Sequence, residues 1–212
     1  MRVGAIIQAR MQSTRLPGKT LLNLAGEPIL SHVLRRVLAV RGLDQVVLAT
    51  TERADDDPVA ALGERMRVGV FRGSEEDVLD RYLQAARAFT LDIVVRVTGE
   101  DPLVDPETVE QLLALHAAAG ADYSSNLMPR TFPVGLDAEV FPTGLLEDLA
   151  GRPLTPEHRE HVTLFVREHP EEFKTANLWA PPWLYGPDLR FTVDTGEDFR
   201  LMEAIYARFY RA

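Results

Sequence analysis

Val3-Gly4-Ala5-Ile6-Ile7-Gln8-Ala9-Arg10-Met11-Gln12-Ser13-Thr14-Arg15-Leu16-Pro17-Gly18-Lys19 begins as a strand and ends as a loop carrying three cations. Val3 to Ile7 is an apolar run of strand length and reads as a buried first strand. Pro17-Gly18 marks a turn in the segment that follows. The loop therefore leaves the carboxyl end of a strand, where open α/β sheets bind their ligands. Backbone N–H groups beneath Arg10, Arg15 and Lys19 suit a polyphosphate. A surface loop with solvated cations is the plainer alternative. The position directly after an N-terminal strand, with Gly, Ser and Thr between the cations, favours phosphate. The loop is neither a Walker A sequence nor a Gly-x-Gly-x-x-Gly dinucleotide turn.

Working outward, strand and helix signals alternate through the first half. Pro28–Val40 carries a helical stripe at Ile29, Leu30, Val33, Leu34, Val37 and Leu38. Gln45–Thr50 reads as a strand, and Asp57–Met66 as a helix capped by Asp57 with Pro58 first inside it. Val68–Phe71 is a short strand, Glu75–Phe89 a helix, Asp92–Val97 a buried strand and Pro106–Ala119 a helix. This β-α-β-α order predicts an α/β fold with a mostly parallel central sheet and helices on both faces. The second half is less regular. It predicts a strand at Ala138–Phe141, a helix at Thr143–Leu149, a helix from Thr155 through Glu168 and a strand at Phe173–Leu178. A loop or lid over 177–187, a strand at Leu189–Val193 and a closing helix at Thr195–Tyr210 complete the chain. The reading is one domain, 1–212, with 122–188 as an insertion covering a site built by the first half.

The 212 residues carry a net charge of −9. That balance argues against nucleic acid as a partner, which needs a basic field, but not against a nucleotide, which needs only a basic pocket. There are no cysteines, so disulfides, thiolate metal sites and Cys nucleophiles are excluded. No signal-peptide pattern and no membrane-length apolar run is present, which predicts a soluble cytoplasmic protein without a membrane partner.

Several acids and cations fall where chemistry is done. Glu100 and Asp101 follow the strand Asp92–Val97, and Asp194 follows Leu189–Val193. Carboxylates at strand ends facing a cationic loop suit Mg²⁺, which takes one or two of them together with phosphate oxygens and water. Taken singly, Asp101 and Asp194 read better as helix N-caps. Arg72-Gly73-Ser74 follows a strand and opens a helix; Ser74 fits a base or ribose contact and equally a plain cap. Arg96 lies late in a strand, where it faces phosphates or pairs with an acid. Asp137 and Glu139 share one face of a strand, suited to sugar hydroxyls or to solvent. His158 and His161 lie near one helix start, without a His-Glu-x-x-His metal pattern.

Together these segments resemble one family. Ile7-Gln8-Ala9-Arg10-Met11-x-Ser13-x-Arg15-Leu16-Pro17-Gly18-Lys19, with Leu24-x-Gly26-x-Pro28-Ile29-Leu30-x-His32-Val33, is similar to the amino-terminal signature of cytidylyltransferases that activate acidic sugars such as 3-deoxy-manno-octulosonate and N-acylneuraminate. Arg72-Gly73-Ser74-Glu75-x-Asp77-Val78-Leu79-x-Arg81-Tyr82, Gly135-Leu136-Asp137-x-Glu139-Val140-Phe141, Glu160-His161-Val162-Thr163 and Thr192-Val193-Asp194-Thr195-x-Glu197-Asp198 resemble the subgroup named after spore coat polysaccharide biosynthesis protein SpsF. The resemblance runs from about residue 3 to 200.

It implies a Rossmann-like nucleotide-diphospho-sugar transferase fold and the reaction of CTP, or another nucleoside triphosphate, with a sugar acceptor to give a CMP-sugar and pyrophosphate, with Mg²⁺. By the same resemblance Arg10 and Lys19 hold the triphosphate with Arg15 in support. Gln8, Ala9, Ser13, Arg72, Gly73, Ser74, Arg96 and Thr98 bind nucleotide. Asn126, Asp137, Glu139, His158 and His161 line a sugar pocket, and Asp194 binds metal. Residues 122–188 become a sugar-binding lid or a dimerisation subregion, and a homodimer is implied. The family usually has Gly-Asp-x-Pro where this chain has Gly99-Glu100-Asp101-Pro102, so either acid fills the first metal position. Two other readings stay open: a glycosyltransferase using a sugar nucleotide, and a non-catalytic nucleotide-binding protein of a polysaccharide pathway.

Overall fold

The computed structural model describes residues 1–211. In chain order the elements are β1 (Val3–Gln8), β2 (Asn23–Leu24), β3 (Glu27–Pro28), α1 (Ile29–Leu38), β4 (Gln45–Thr51), α2 (Asp57–Arg65), β5 (Gly69–Gly73) and α3 (Val78–Ala88). They continue with β6 (Ile93–Thr98), α4 (Pro106–Ala119), β7 (Tyr123–Ser125), β8 (Glu139–Pro142), α5 (Thr143–Ala150), α6 (Pro156–Glu160), α7 (Leu164–Glu168), β9 (Thr175–Asn177) and α8 (Gly196–Phe209). Seven strands form one sheet in the order β5-β4-β1-β6-β8-β7-β9, with β8 alone antiparallel to its neighbours. β1 sits between β4 and β6, with Ile6 opposite Val47 and Arg96.

Alternation along the central strands divides the core into two layers. Ala5 and Ile7 pack with Leu30, Val33 and Leu34 of α1, Val59 of α2 and Leu112 of α4. Ile6 points the other way, onto Leu79, Tyr82 and Leu83 of α3 and Leu146 of α5. A third cluster seats Met202 and Tyr206 of α8 on Leu24 and Ile29, so the end of the chain is fastened beside the first loop.

The structure corrects several sequence expectations. Leu189–Val193 joins no ladder; its extended backbone makes one bridge, Val134 to Arg190, and Val193 N–H donates to the Glu100 carbonyl at 2.9 Å. The helix expected from Thr155 to Glu168 is two short helices, because Val162 between them takes φ +53°. α3 starts at Val78, capped by Asp77, whose own N–H donates to Ser74 Oγ at 3.0 Å. Asp57 is the first residue of α2 rather than its cap. Segment 122–188 is built into the sheet, supplying β7, β8 and β9. No helix among the described residues is long and apolar enough to cross a membrane.

Candidate active site

The loop after β1 is closed by its own backbone. Gly18 N–H donates to the Met11 carbonyl at 2.9 Å, and Thr20 Oγ1 to the Arg10 carbonyl at 3.3 Å. Met11 N–H donates to Asp56 Oδ1 at 2.6 Å, and Asp56 is itself buried and bonded by Thr51. Gly18 turns the chain with φ +71°, a conformation glycine adopts without a Cβ clash, and sends Lys19 back under the loop.

Lys19 Nζ lies 2.7 Å from Asp194 Oδ1 and 3.7 Å from Glu100 Oε1. Asp194 also pairs with Arg15 at 3.0 Å and with Arg190. Burial pushes the Asp194 carboxyl up, but the bond and charge of Lys19, then Arg15 and Arg190, outweigh it and hold the group below the usual aspartate value. Glu100 is raised, chiefly by burial, with Lys19 opposing and Asp194 adding to the rise. The pairing of Val193 with Glu100 brings the two acids together. The capping box of α8 then fixes Asp194: Asp198 Oδ2 accepts from the N–H groups of Asp194 at 3.0 Å and Thr195 at 2.8 Å. Two carboxylates facing one ammonium form an all-oxygen donor set, which fits a hard divalent cation with phosphate oxygens and water completing its shell. An exposed group, His169, Glu171 and Glu172, also gathers possible ligands, but it lies outside the cleft and Glu172 is paired with Arg152.

The two acids expected at the first metal position, Glu100 and Asp101, are placed differently. Asp101 is 3% exposed, accepts from Thr98 Oγ1, and is pushed up to about 7 by burial first and then by Glu100 and Asp137. Glu100, one residue earlier, is the acid turned to Lys19. Neither Asp101 nor Asp194 caps a helix; Asp105 caps α4 and Thr195 caps α8.

A cleft of about 400 Å³ opens at the carboxyl ends of β1 and β6. It brings together Gln8, Ala9, Arg10, Ser13, Arg15 and Lys19 of the first segment, Arg96, Thr98 and Glu100 of the next, and His161. Among the described residues Arg10 has one ion-pair partner, Glu160 at 3.7 Å. Arg96 at the cleft floor pairs with buried Glu139 and donates to Gln8 Oε1 at 3.3 Å.

Other expected residues have structural partners and do not line this cleft. Arg72 is tied to Asp57 at 2.6 Å and to the Thr51 carbonyl at 2.9 Å. Gly73 packs against Phe71 and Arg81, where a Cβ would collide with the Phe71 ring at 2.9 Å. Ser74 serves the entry to α3. Asn126 is wholly buried between Leu136 and Ala138, and Asp137 pairs with Arg130 at 2.6 Å. Glu139, expected to face a sugar, is 2% exposed and enclosed by Arg96, Tyr123 and Thr163. His158 completes the capping box of α6 and reaches Glu168 at 2.8 Å.

The sequence reading gave no role to Glu160 and Arg81, which also line the cleft. Arg81 carried a signal: a cation on the buried stripe of α3, between Val78 and Tyr82.

The cytidylyltransferase family profile matches residues 4–207. The chain is 38% identical over 208 residues to spore coat polysaccharide biosynthesis protein SpsF of Bacillus subtilis (strain 168), covering 96% of this chain and 85% of that protein. A cytidylyltransferase from Leptospira borgpetersenii serovar Hardjo-bovis (strain JB197) superposes with a TM-score of 0.95 at 36% identity, covering 100% of this chain and 89% of that one. CMP:2-keto-3-deoxy-manno-octonic acid synthetase complexed with CTP shares the fold, with a TM-score of 0.73 at 22% identity over 98% of this chain and 99% of that one.

Proposed function

From the premise that this chain belongs to the cytidylyltransferase family, we propose that it transfers the cytidylyl group of CTP to a sugar, giving a CMP-sugar and pyrophosphate. The observation that carries the reading is Lys19, held between Glu100 and Asp194 in the lining of a cationic cleft. A sugar hydroxyl attacks the α-phosphorus in line. The new P–O bond forms as the bond to the pyrophosphate oxygen breaks, and the hydroxyl proton passes to solvent. Arg10, Arg15 and Lys19 offset charge on the phosphate oxygens, so positioning and electrostatics do most of the catalysis. Glu100 and Asp194 would hold Mg²⁺, which when bound supplies further positive charge to those oxygens. An acidic sugar is the proposed acceptor, in keeping with the acid named for the structurally related synthetase and with the cations lining the cleft.

The test has two stages. Melting is followed with CTP, ATP, GTP and UTP, each with and without Mg²⁺; a ligand of the folded state raises the transition by linkage. The expected result is a CTP-selective rise that depends on Mg²⁺, followed by pyrophosphate release with one member of a sugar panel. Release of a nucleoside diphosphate from a sugar nucleotide would instead identify a glycosyltransferase. Tight CTP binding with no turnover on any sugar would leave a non-catalytic binder.

A further inference from the structure

Five cationic side chains line the cleft, and four of them have acids. Lys19 and Arg15 meet Asp194, Arg96 meets Glu139, and Arg10 approaches Glu160. Of these five, Arg81 alone has no carboxylate of the described residues within ion-pair reach. It is 2% exposed, and Nη1 donates to the Ser74 carbonyl at 2.8 Å. Its Nε is buried without a partner. The nearby acids are engaged elsewhere: Asp56 with Met11 and Thr51, Glu75 with Arg53, Asp77 with the cap of α3 and with Arg159. Val78, the first residue of α3, lines the same cleft, so the positive end of that helix dipole faces it too.

A buried guanidinium without a paired counter-charge is costly, and here burial, helped by the neighbouring charge of Arg10, outweighs the favourable fields of Tyr82, Asp56 and Glu75 and disfavours it. Such a group is made favourable by an anion that enters the cleft. A phosphate fits: it accepts several N–H bonds from a guanidinium fork at once.

We propose that Arg81 is a phosphate-binding residue of this cleft, giving its free N–H groups to the triphosphate of the nucleotide. The inference rests on the cytidylyltransferase reading for the identity of the nucleotide, and its test is separable from that reading. The wild-type protein, Arg81→Met and Arg81→Lys are titrated calorimetrically with CTP and with inorganic pyrophosphate. Arg81→Met removes the charge at similar length. It is expected to weaken both ligands by about tenfold or more, without lowering the melting temperature of the free protein, because an uncompensated charge has left the interior. Arg81→Lys keeps the charge and loses the fork, and is expected to weaken pyrophosphate by a smaller factor. Unchanged pyrophosphate affinity in Arg81→Met overturns the inference. If Arg81→Met does not fold, Arg81→Lys decides: weaker pyrophosphate binding supports the role, and unchanged binding overturns it. A wild-type protein that binds pyrophosphate but prefers another nucleotide to CTP would sink the cytidylyl reading and leave the Arg81 comparison intact.

Discussion

Lys19 lies against the two acids proposed to hold a divalent cation, so nucleotide binding must redistribute charge around a single ammonium. Lys19→Ala is expected to lower turnover about 10²- to 10³-fold, the scale of losing one preorganised electrostatic contact in a transition state. The stability loss should be only about 1 kcal/mol, since Asp194 keeps Arg15 and Arg190. Steady-state kinetics and urea unfolding check the two halves, and near-normal turnover removes Lys19 from the chemistry. Glu139 makes the opposite case, structural rather than chemical. Burial pushes its carboxyl up, yet Arg96 and the hydroxyls of Thr163 and Tyr123 prevail and hold it below the usual glutamate value. A folded-state pKa below the unfolded one gives stability that is present above the unfolded value and lost as pH falls through the folded value. Glu139→Gln leaves Arg96 buried without a counter-charge and is expected to cost about 3 kcal/mol at pH 7. The deficit should shrink as pH falls below the ordinary glutamate range, where wild type loses the same interaction. Unfolding curves at pH 7 and pH 3.5 measure it; a deficit equal at both would mean the charge on Glu139 is irrelevant.

At the scale of elements, helix ends set the geometry of the proposed site. Thr195 Oγ1 accepts from Asp198 N–H at 3.2 Å, and Asp198 in turn holds the backbone of Asp194. Thr195→Ala is therefore expected to lose about 1 kcal/mol of stability. It should also weaken nucleotide binding, because the acid beside Lys19 is set by that cap. A stability loss with unchanged CTP affinity would separate the cap from the site. After α3, Thr90 is a β-branched residue at φ +52°, where a Cβ is disfavoured. Thr90→Gly should stabilise the fold by about 1 kcal/mol despite losing its exposed bond from Arg2, read as a higher urea midpoint. The same ends mark what the sequence made legible. The stripes of α1 and α3 and the run of β1 could be read because a period of 3.6 or a continuous apolar run extends over several residues. β7 could not, since three residues hold no period. Val162 could not, because nothing in Glu160-His161-Val162-Thr163 announces a left-handed residue and the break it makes. Leu189–Val193 looked like a strand because Leu189, Phe191 and Val193 alternate with Arg190 and Thr192, but its partners are Val134 and Glu100, and no local pattern names them.

The whole molecule shows why the cleft was only half legible. The cationic loop could be placed because it follows the first strand. Its acids could be set opposite it as strand-end carboxylates, but the direct contact of Lys19 with Asp194, 175 residues apart in sequence, is made by packing. Where His161 and Glu160 stand depends on how α6 packs beside α3, which is a property of tertiary structure. The chain is acidic overall, at −9, yet five cationic side chains line one cleft, so the proposed affinity for a polyanion is local and the summed charge does not report it. A nucleotide filling that cleft must touch segments the sequence keeps far apart, and this yields a measurement on the intact protein. Hydrogen exchange with saturating CTP and Mg²⁺ should slow together in 8–20, 96–100, 156–163 and 190–198, while α4 and α5 keep their rates. Opening of these loops is local, so a ligand bridging them adds its binding free energy to each opening reaction. Protection confined to 8–20 would mean that CTP is held by the loop alone, and that the acids at Glu100 and Asp194 take no part in its binding.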